Sequence, residues 1–311
     1  IEDQVRSGDN IVVTRLEHNS NYVPWFGLQQ MLRSRGSNLD IRVVDFDSKT
    51  GALNMEQLER MVDENTKLVS VTGASNFMGV KPDVKTIGQI AHASGYVHPD
   101  QRRGSYFLVD AAQLVPGTPV DVQDLDCDFL AWSFHKMALP LGVGGLYGRS
   151  EVMEQLNPFM YGGDMILDVK EGEVEYAELP WRFTAGTPNI LGITATGYGV
   201  QFLMDLGVGN LSIEDDIERV GRRVETAIIM NTPRGDFEFQ YRVPEELQST
   251  FRQYVQRHPD VMSVLRDPAL RKARGHSLVT DAMKNIMLHE EELTQAAIEQ
   301  LSSIRGVTLY G

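Results

Sequence analysis

The first 150 residues alternate between short apolar runs and longer segments in which apolar residues recur at helical spacing. Six runs are brief, rich in β-branched or aromatic residues and bounded by polar residues, which is typical of buried strands. They occupy residues 11–14, 41–44, 68–72, 107–109, 130–133 and 145–147. Helices are predicted between them, at residues 23–35, 55–63 and 84–94. Strands that alternate with helices predict an α/β fold, a mainly parallel sheet with helices on both faces.

The pattern changes after Gly148. Residues 151–180 are predicted to be irregular, and residues 96–105 and 181–189 to be polar loops. Helices are predicted at 190–206, 213–230, 245–257, 278–287 and 289–303, and a last strand at 307–310. We therefore expect a large domain at residues 1–225. Residues 226–311 are expected to form a helical insertion or divergent segment that leads into the start of a small domain.

Polar and ionisable residues lie just past the ends of the predicted strands. His18 comes after the first strand, Asn76 after the third, Asp110 after the fourth, and Ser133 to Lys136 after the fifth. In parallel α/β sheets, ligands bind at the carboxyl ends of the strands. The sequence therefore predicts that one site collects these side chains.

Composition narrows the classes of function. The 311 residues are 42% hydrophobic and 23% charged, which is ordinary for a globular protein, and the formal net charge is −14. We find no basic stripe that would track phosphates, so binding to nucleic acid is not expected. No apolar run has the roughly 20 residues that span a bilayer, and we predict no membrane association. The single cysteine, Cys127, excludes a disulfide within the chain and favours a reducing compartment.

Lys136 and Asp110 carry the main chemical hypothesis. A lysine that forms an imine, with an aspartate that holds a pyridinium nitrogen, is the arrangement that pyridoxal 5′-phosphate (PLP) requires. His18 could stack on a flat cofactor ring, Ser133 and His135 could bind a phosphate, and Gln113 could reach a ring hydroxyl. Structural interpretations also stand: Lys136 as a loop lysine, Asp110 as a helix cap and His18 as a surface histidine.

The chain resembles the class V group of fold-type I PLP enzymes, and most closely the Suf-type (group II) cysteine desulfurases and selenocysteine lyases. The order and spacing of several motifs between residues 8 and 225 carry this resemblance. They are Thr14 to Trp25, Ser75-Asn76 with Gly79, Val109 to Gln113, Val120 to Val122, Leu125 to Phe129, Ser133 to Lys136, Gly142 to Tyr147 and Trp181 to Asn189.

The resemblance implies a role for each candidate residue. Lys136 would be the Schiff-base lysine and proton shuttle, and Asp110 would pair with the pyridine nitrogen. Gln113 would hydrogen-bond the phenolic oxygen, and His18 would stack on the ring and act as an acid or base. The phosphate would be bound by Ser133 and His135, with Asn76 near the ring hydroxyl and the substrate. Thr187 would reach the phosphate of the other subunit's cofactor, which implies a homodimer; no metal site is implied.

The sequence departs from the family pattern in three places. We expect a phosphate-binding helix to precede Ile1, and we expect the small domain with the persulfide-forming cysteine to lie beyond Gly311. Residues 231–285 match nothing in the family pattern. Cys127 does not replace the missing nucleophile, because it lies in a turn into a buried strand and is predicted to be a packed thiol.

The resemblance implies a cytoplasmic or organellar PLP-dependent cysteine desulfurase. Such an enzyme converts L-cysteine to L-alanine and an enzyme-bound persulfide, which a sulfur-acceptor protein takes for iron–sulfur cluster assembly. Two alternatives stay open. The chain could be a selenocysteine lyase or a class V aminotransferase or epimerase, or it could be a catalytically inactive partner subunit with the same fold.

Overall fold

The computed structural model describes residues 4–207, 228–232, 235–239 and 268–304, together with residues 307 and 309. The chain divides into two compact units, Ile1–Gly199 with Ile286–Gly311, and Val200–Asn285. The first unit contains the central sheet and the candidate site. In the second unit, the described strands β9 (Ile228–Thr232) and β10 (Gly235–Phe239) pair as an antiparallel hairpin. The domain division at residue 225 stays a prediction.

All six predicted strands are present, each longer than predicted by one or two residues. They are β1 (Asn10–Thr14), β2 (Asp40–Val44), β3 (Thr66–Thr72), β4 (Tyr106–Asp110), β5 (Phe129–Ser133) and β6 (Gly144–Gly148). Their spatial order is β2-β1-β3-β4-β5-β6, and β6 alone runs antiparallel, against β5. Because β1 has β2 on one side and β3 on the other, the chain reverses its winding direction at the β1–β3 boundary.

Helices cover both faces of the sheet, as predicted. They are α1 (Asn19–Ser34), α2 (Met55–Met61), α3 (Val84–His92), α4 (Val122–Leu125) and α5 (Ser150–Met153). On one face, Leu58 of α2 and Ile87 of α3 pack in a buried cluster with Val69. On the other face, Leu32 of α1 packs in a cluster with the adjacent strand residue Leu68. Successive strand residues point to opposite faces, so both faces of the sheet must be apolar.

Residues 151–180 are more regular than predicted. They contain the end of α5 and a hairpin of β7 (Ile166–Lys170) and β8 (Glu173–Tyr176). Gly172, at a φ of +85°, allows the tight turn between these strands. The alternation of Glu173, Val174, Glu175 and Tyr176 is the strand signal that the prediction overlooked.

Several predictions in the last third of the chain were wrong or cannot be compared. Helix α6 (Ile190–Gly207) is confirmed, but residues 228–230, predicted to be helical, lie in β9. The helices predicted at 278–287 and 289–303 form one helix, α7 (Pro268–Ser302), because no glycine or proline interrupts residues 276–302. Val307 and Leu309 are not in a strand. Residues 213–227 and 245–257 lie outside the described residues. Among the helices that the structure describes, none has the length and apolar character needed to cross a membrane.

Candidate active site

A cavity of about 300 Å³ opens at the carboxyl ends of β1, β3, β4 and β5. This volume is within the usual range of small-molecule sites, roughly 300–1,000 Å³. The cavity lies at the β1–β3 boundary, where ligands bind in open α/β sheets. Its lining residues are His18, Ser20, Thr72, Ala74, Asn76, Asp110, Ala112, Gln113, Ser133, His135 and Lys136.

Seven of the eight predicted site residues therefore line one cavity. The exception is Thr187, which is exposed on the loop before α6 and is not part of the cavity wall. Its predicted role was in the other subunit's site, and that role stays a prediction. Sequence spacing alone could not bring the seven residues together; the parallel pairing of β1, β3, β4 and β5 does so.

His18 is held at the start of α1. The backbone N–H of Ser20 donates to its Nδ1 at 3.2 Å, and the Ser20 hydroxyl lies 2.7 Å from the same nitrogen. Because Nδ1 accepts the backbone hydrogen bond, the proton of the neutral ring lies on Nε2. The helix was predicted to begin at Val23, but it begins at Asn19 because the side chain of His18 caps it there. Pro24 lies inside this helix.

Asp110 is the last residue of β4 and is half-buried. Its Oδ1 accepts a hydrogen bond from the backbone N–H of Ala112 at 3.0 Å, which fixes the carboxylate at the cavity wall. The carbonyl oxygen of Asp110 accepts from the N–H of Gly73 at 2.8 Å, so the ends of β3 and β4 stay paired. Gln113 is exposed on the following turn.

Lys136 follows β5 in a single 3-10 turn, Phe134–Met137. Ser133 ends the strand, and both His135 and Lys136 are exposed to the cavity. The N–H of Phe134 donates to the carbonyl of Val143 at 3.2 Å, which holds the turn against the start of β6. The lysine amine is thus presented on a short, anchored segment.

The prediction missed Glu17, which precedes His18 and is only 9% exposed. Its Oε1 accepts from the Thr14 hydroxyl at 2.7 Å and from the Thr72 N–H at 2.8 Å, and its Oε2 from the Asn21 amide at 2.6 Å. Burial raises the pKa of Glu17 from 4.5 to about 7; the hydrogen bonds oppose this increase, and the charge of nearby Asp110 adds to it. A glutamate three residues after the predicted strand at 11–14 was the available signal.

Cys127 is fully buried in the sheet core, as predicted. Burial raises the pKa of its thiol to about 11. A thiol with so little thiolate at neutral pH is a poor nucleophile, so Cys127 does not serve the cavity chemistry.

The geometry defines an α/β protein with a small-molecule site that combines an amine, a carboxylate and an imidazole. Residues 1–224 match the profile of the aminotransferase class-V family. A cysteine desulfurase of Haloferax volcanii is 37% identical over 215 residues, which are 69% of this chain and 47% of that protein. A probable cysteine desulfurase of Methanothermobacter thermautotrophicus is 33% identical over 311 residues, 98% of this chain and 72% of that protein.

A solved structure shows the same architecture. The cysteine desulfurase CsdA of Escherichia coli superposes with a TM-score of 0.58 at 25% identity, over 73% of this chain and 55% of that one. The chain belongs to the aminotransferase class-V family, and its sheet has the PLP fold-type I arrangement that was predicted. It spans about half the length of the first curated relatives that it matches.

Proposed function

We propose that this chain is the cofactor-binding part of a PLP-dependent cysteine desulfurase. The observation that carries the proposal is the single cavity shared by Lys136, Asp110 and His18 on three strand ends of one sheet. The names of the relatives and of the structural neighbour support the same activity.

The donor set fits PLP. The amine of Lys136 suits the cofactor's aldehyde, the carboxylate of Asp110 suits a cationic ring nitrogen, and the flat ring of His18 suits a flat heterocycle. Ser133 and His135 offer a hydroxyl and an imidazole for a phosphate, while Gln113 and Asn76 offer amides for the ring oxygen and the substrate. When bound, PLP supplies an electron sink for the substrate carbon that loses its proton.

The residues of the chain divide the remaining work. Lys136 would hold the cofactor, and its Nζ would move the proton of the substrate Cα. Asp110 would keep the ring nitrogen protonated, and Nε2 of His18 would be available to donate a proton. In the overall reaction the Cβ–S bond of L-cysteine breaks, the sulfur passes to a thiol to give a persulfide, and alanine leaves. Because Cys127 is buried, that thiol comes from outside residues 1–311.

We also propose a homodimer that completes the site through Thr187. Large apolar side chains stand exposed directly after this residue, at Ile190, Leu191 and Ile193. Such exposed apolar surface favours an interface. A cytoplasmic location and a role in supplying sulfur through an acceptor protein to iron–sulfur clusters complete the proposal.

The test is to mix the purified chain with PLP and follow absorption near the visible edge. We expect a band that borohydride reduction traps as a pyridoxyl group on the Lys136 peptide, identified by mass spectrometry. Lys136→Ala should lose the band, while the exposed turn variant Lys49→Ala should keep it. Alanine release from cysteine, with dithiothreitol as thiol, tests the reaction. A wild-type chain without the band would contradict PLP binding.

A further inference from the structure

Glu17 is buried behind the cavity wall, and both of its carboxylate oxygens accept hydrogen bonds. Its carboxyl group connects three elements: the end of β1 through Thr14, helix α1 through Asn21 and the end of β3 through Thr72. Asn21 continues the network, because its Oδ1 accepts from the Ser70 hydroxyl at 2.7 Å. Every one of these donors is electrically neutral.

The charged neighbour of Glu17 is another acid. Asp110 lies on β4 close enough for its charge to act on Glu17, and it pairs in register with Thr72, the residue whose N–H binds Glu17. His18 is the adjacent titratable group on the side of α1, and its ring is hydrogen-bonded to Ser20 rather than to Glu17. Among the residues that the structure describes, Glu17 forms no salt bridge.

Two neighbouring carboxyl groups are unfavourable in a buried setting when no salt bridge offsets their charges. Burial raises the pKa of Glu17 to about 7, so a small change in the local charge decides whether it is ionised. A cation placed at Asp110 would satisfy both acids together. Asp110 lines the cavity whereas Glu17 is buried, so the cation reaches Asp110 directly and Glu17 acts at longer range.

We propose that Glu17 is a positioning residue that acts through Asp110: it holds the strand end behind Asp110 and adds a second negative charge that favours a protonated ring nitrogen in the cavity. This inference rests on the proposed binding of PLP. The site for the ring nitrogen would then consist of two acids: Asp110 at the cavity wall and Glu17 behind it.

The variant Glu17→Gln tests the charge while keeping the hydrogen bonds. Its Oε1 can accept from Thr14 and Thr72, and a flipped Asn21 amide can accept from its Nε2 while the Ser70 hydroxyl rotates to accept from Asn21. The measurement is the pH titration of the ring-nitrogen chemical shift of ¹⁵N-labelled PLP bound to the holoprotein. We expect the midpoint to fall by about one pH unit, a tenfold change, from the loss of one charge at effective dielectric ~20.

A further variant separates charge from structure. Glu17→Asp keeps the charge and should keep the wild-type midpoint. An unchanged midpoint in Glu17→Gln would overturn the inference, and so would an equal shift in Glu17→Asp. If wild type binds no PLP, the proposed function fails and the inference fails with it; a bound, unshifted spectrum in Glu17→Gln overturns the inference alone.

Discussion

The two ends of strands β3 and β4 hold buried ionisable groups in opposite circumstances. At their carboxyl ends, Thr72 and Asp110 stand at the cavity, with Glu17 behind them. At their amino ends, Lys67 and Tyr106 are completely buried. At the carboxyl ends, charged and hydrogen-bonding groups face the cavity. At the amino ends, the charged group of Lys67 is enclosed by protein.

The enclosed end is built around Lys67. Its Nζ lies 3.5 Å from Nδ1 of His98 and over the rings of Tyr96 and Tyr106, at 5.1 and 5.3 Å from their centroids. The Nε2–H of His98 donates to the carbonyl of Gly104 at 2.7 Å, so Nδ1 is free to accept from the lysine. The loop at 96–105 was predicted as polar, but these side chains fold inward and seal the end of the sheet.

The comparison teaches that a perturbed pKa does not by itself mark a functional site. Burial lowers the pKa of Lys67 to about 8 and that of His98 to about 4, while burial raises that of Glu17 to about 7. The shifts are similar in size, but His18, Thr72 and Asp110 beside Glu17 line the candidate cavity, whereas Lys67 and His98 are not among its lining residues. The two ends of these strands differ in whether a ligand can reach them, not in how far the pKa values of their buried groups are shifted.

The largest expected effect concerns Glu17 in the protein without PLP. Its pKa is raised from 4.5 to about 7, so the folded state binds a proton more tightly than the unfolded chain. Stability should therefore fall by about 3 kcal/mol as the pH rises from 4.5 to 7. Glu17→Gln should remove this fall, as measured by urea unfolding at pH 4.5 and 8. An equal fall in the variant would show that Glu17 does not titrate in this range.

Asp110→Asn should weaken PLP binding about 100-fold, because a charge-assisted hydrogen bond to the ring nitrogen is lost. The stability of the cofactor-free protein should change little, since the side-chain carbonyl of the introduced asparagine can still accept from the N–H of Ala112. Spectrophotometric titration with PLP measures the first quantity, and urea unfolding the second. Equal PLP affinity in the wild-type protein and in Asp110→Asn would show that the ring nitrogen does not contact Asp110.

At the enclosed end, His98 should make the protein sensitive to acid. Because burial lowers its pKa from 6.5 to about 4, the unfolded chain binds the proton first as the pH falls. Stability should decrease by about 2 kcal/mol between pH 6.5 and 5. His98→Gln should flatten this part of the profile and leave PLP binding unchanged. A change in PLP affinity would show that the two ends are coupled.

Lys67→Met should have the smallest effect. Burial lowers the pKa of Lys67 from 10.5 to about 8, so at pH 7 its charge destabilises the folded state, and this is relieved between pH 8 and 10.5. Methionine removes the buried charge but also its contacts with Tyr96 and Tyr106, for a net gain of about 1 kcal/mol at pH 7. Denaturant unfolding of both proteins at pH 7 and 10 measures the net change in stability and how much of it depends on the charge of Lys67. A destabilised variant would mean that the ring contacts outweigh the desolvation.

Much of the site could be predicted because its residues follow strand ends that are visible in the sequence. Asp110 directly follows the apolar run 107–109, and Lys136 lies three residues beyond another run that ends at Ser133. The β7–β8 hairpin and the continuous helix α7 were missed because weak alternation and the absence of a break are slight local signals. Glu17 was missed because its importance comes from Thr72 and Asn21, one of them 55 residues away.

The sequence by itself determined the α/β class, the six strands of the central sheet and the kinds of chemical group at their ends, because apolar periodicity and strand boundaries are local properties. Only the tertiary structure decided that seven of these groups share one cavity and that Thr187 does not. It also decided that Lys67 is sealed while Lys136 is exposed, although both adjoin strands of the same sheet. Strand order and burial arise from contacts between distant residues, and no local pattern encodes which end of a strand meets solvent.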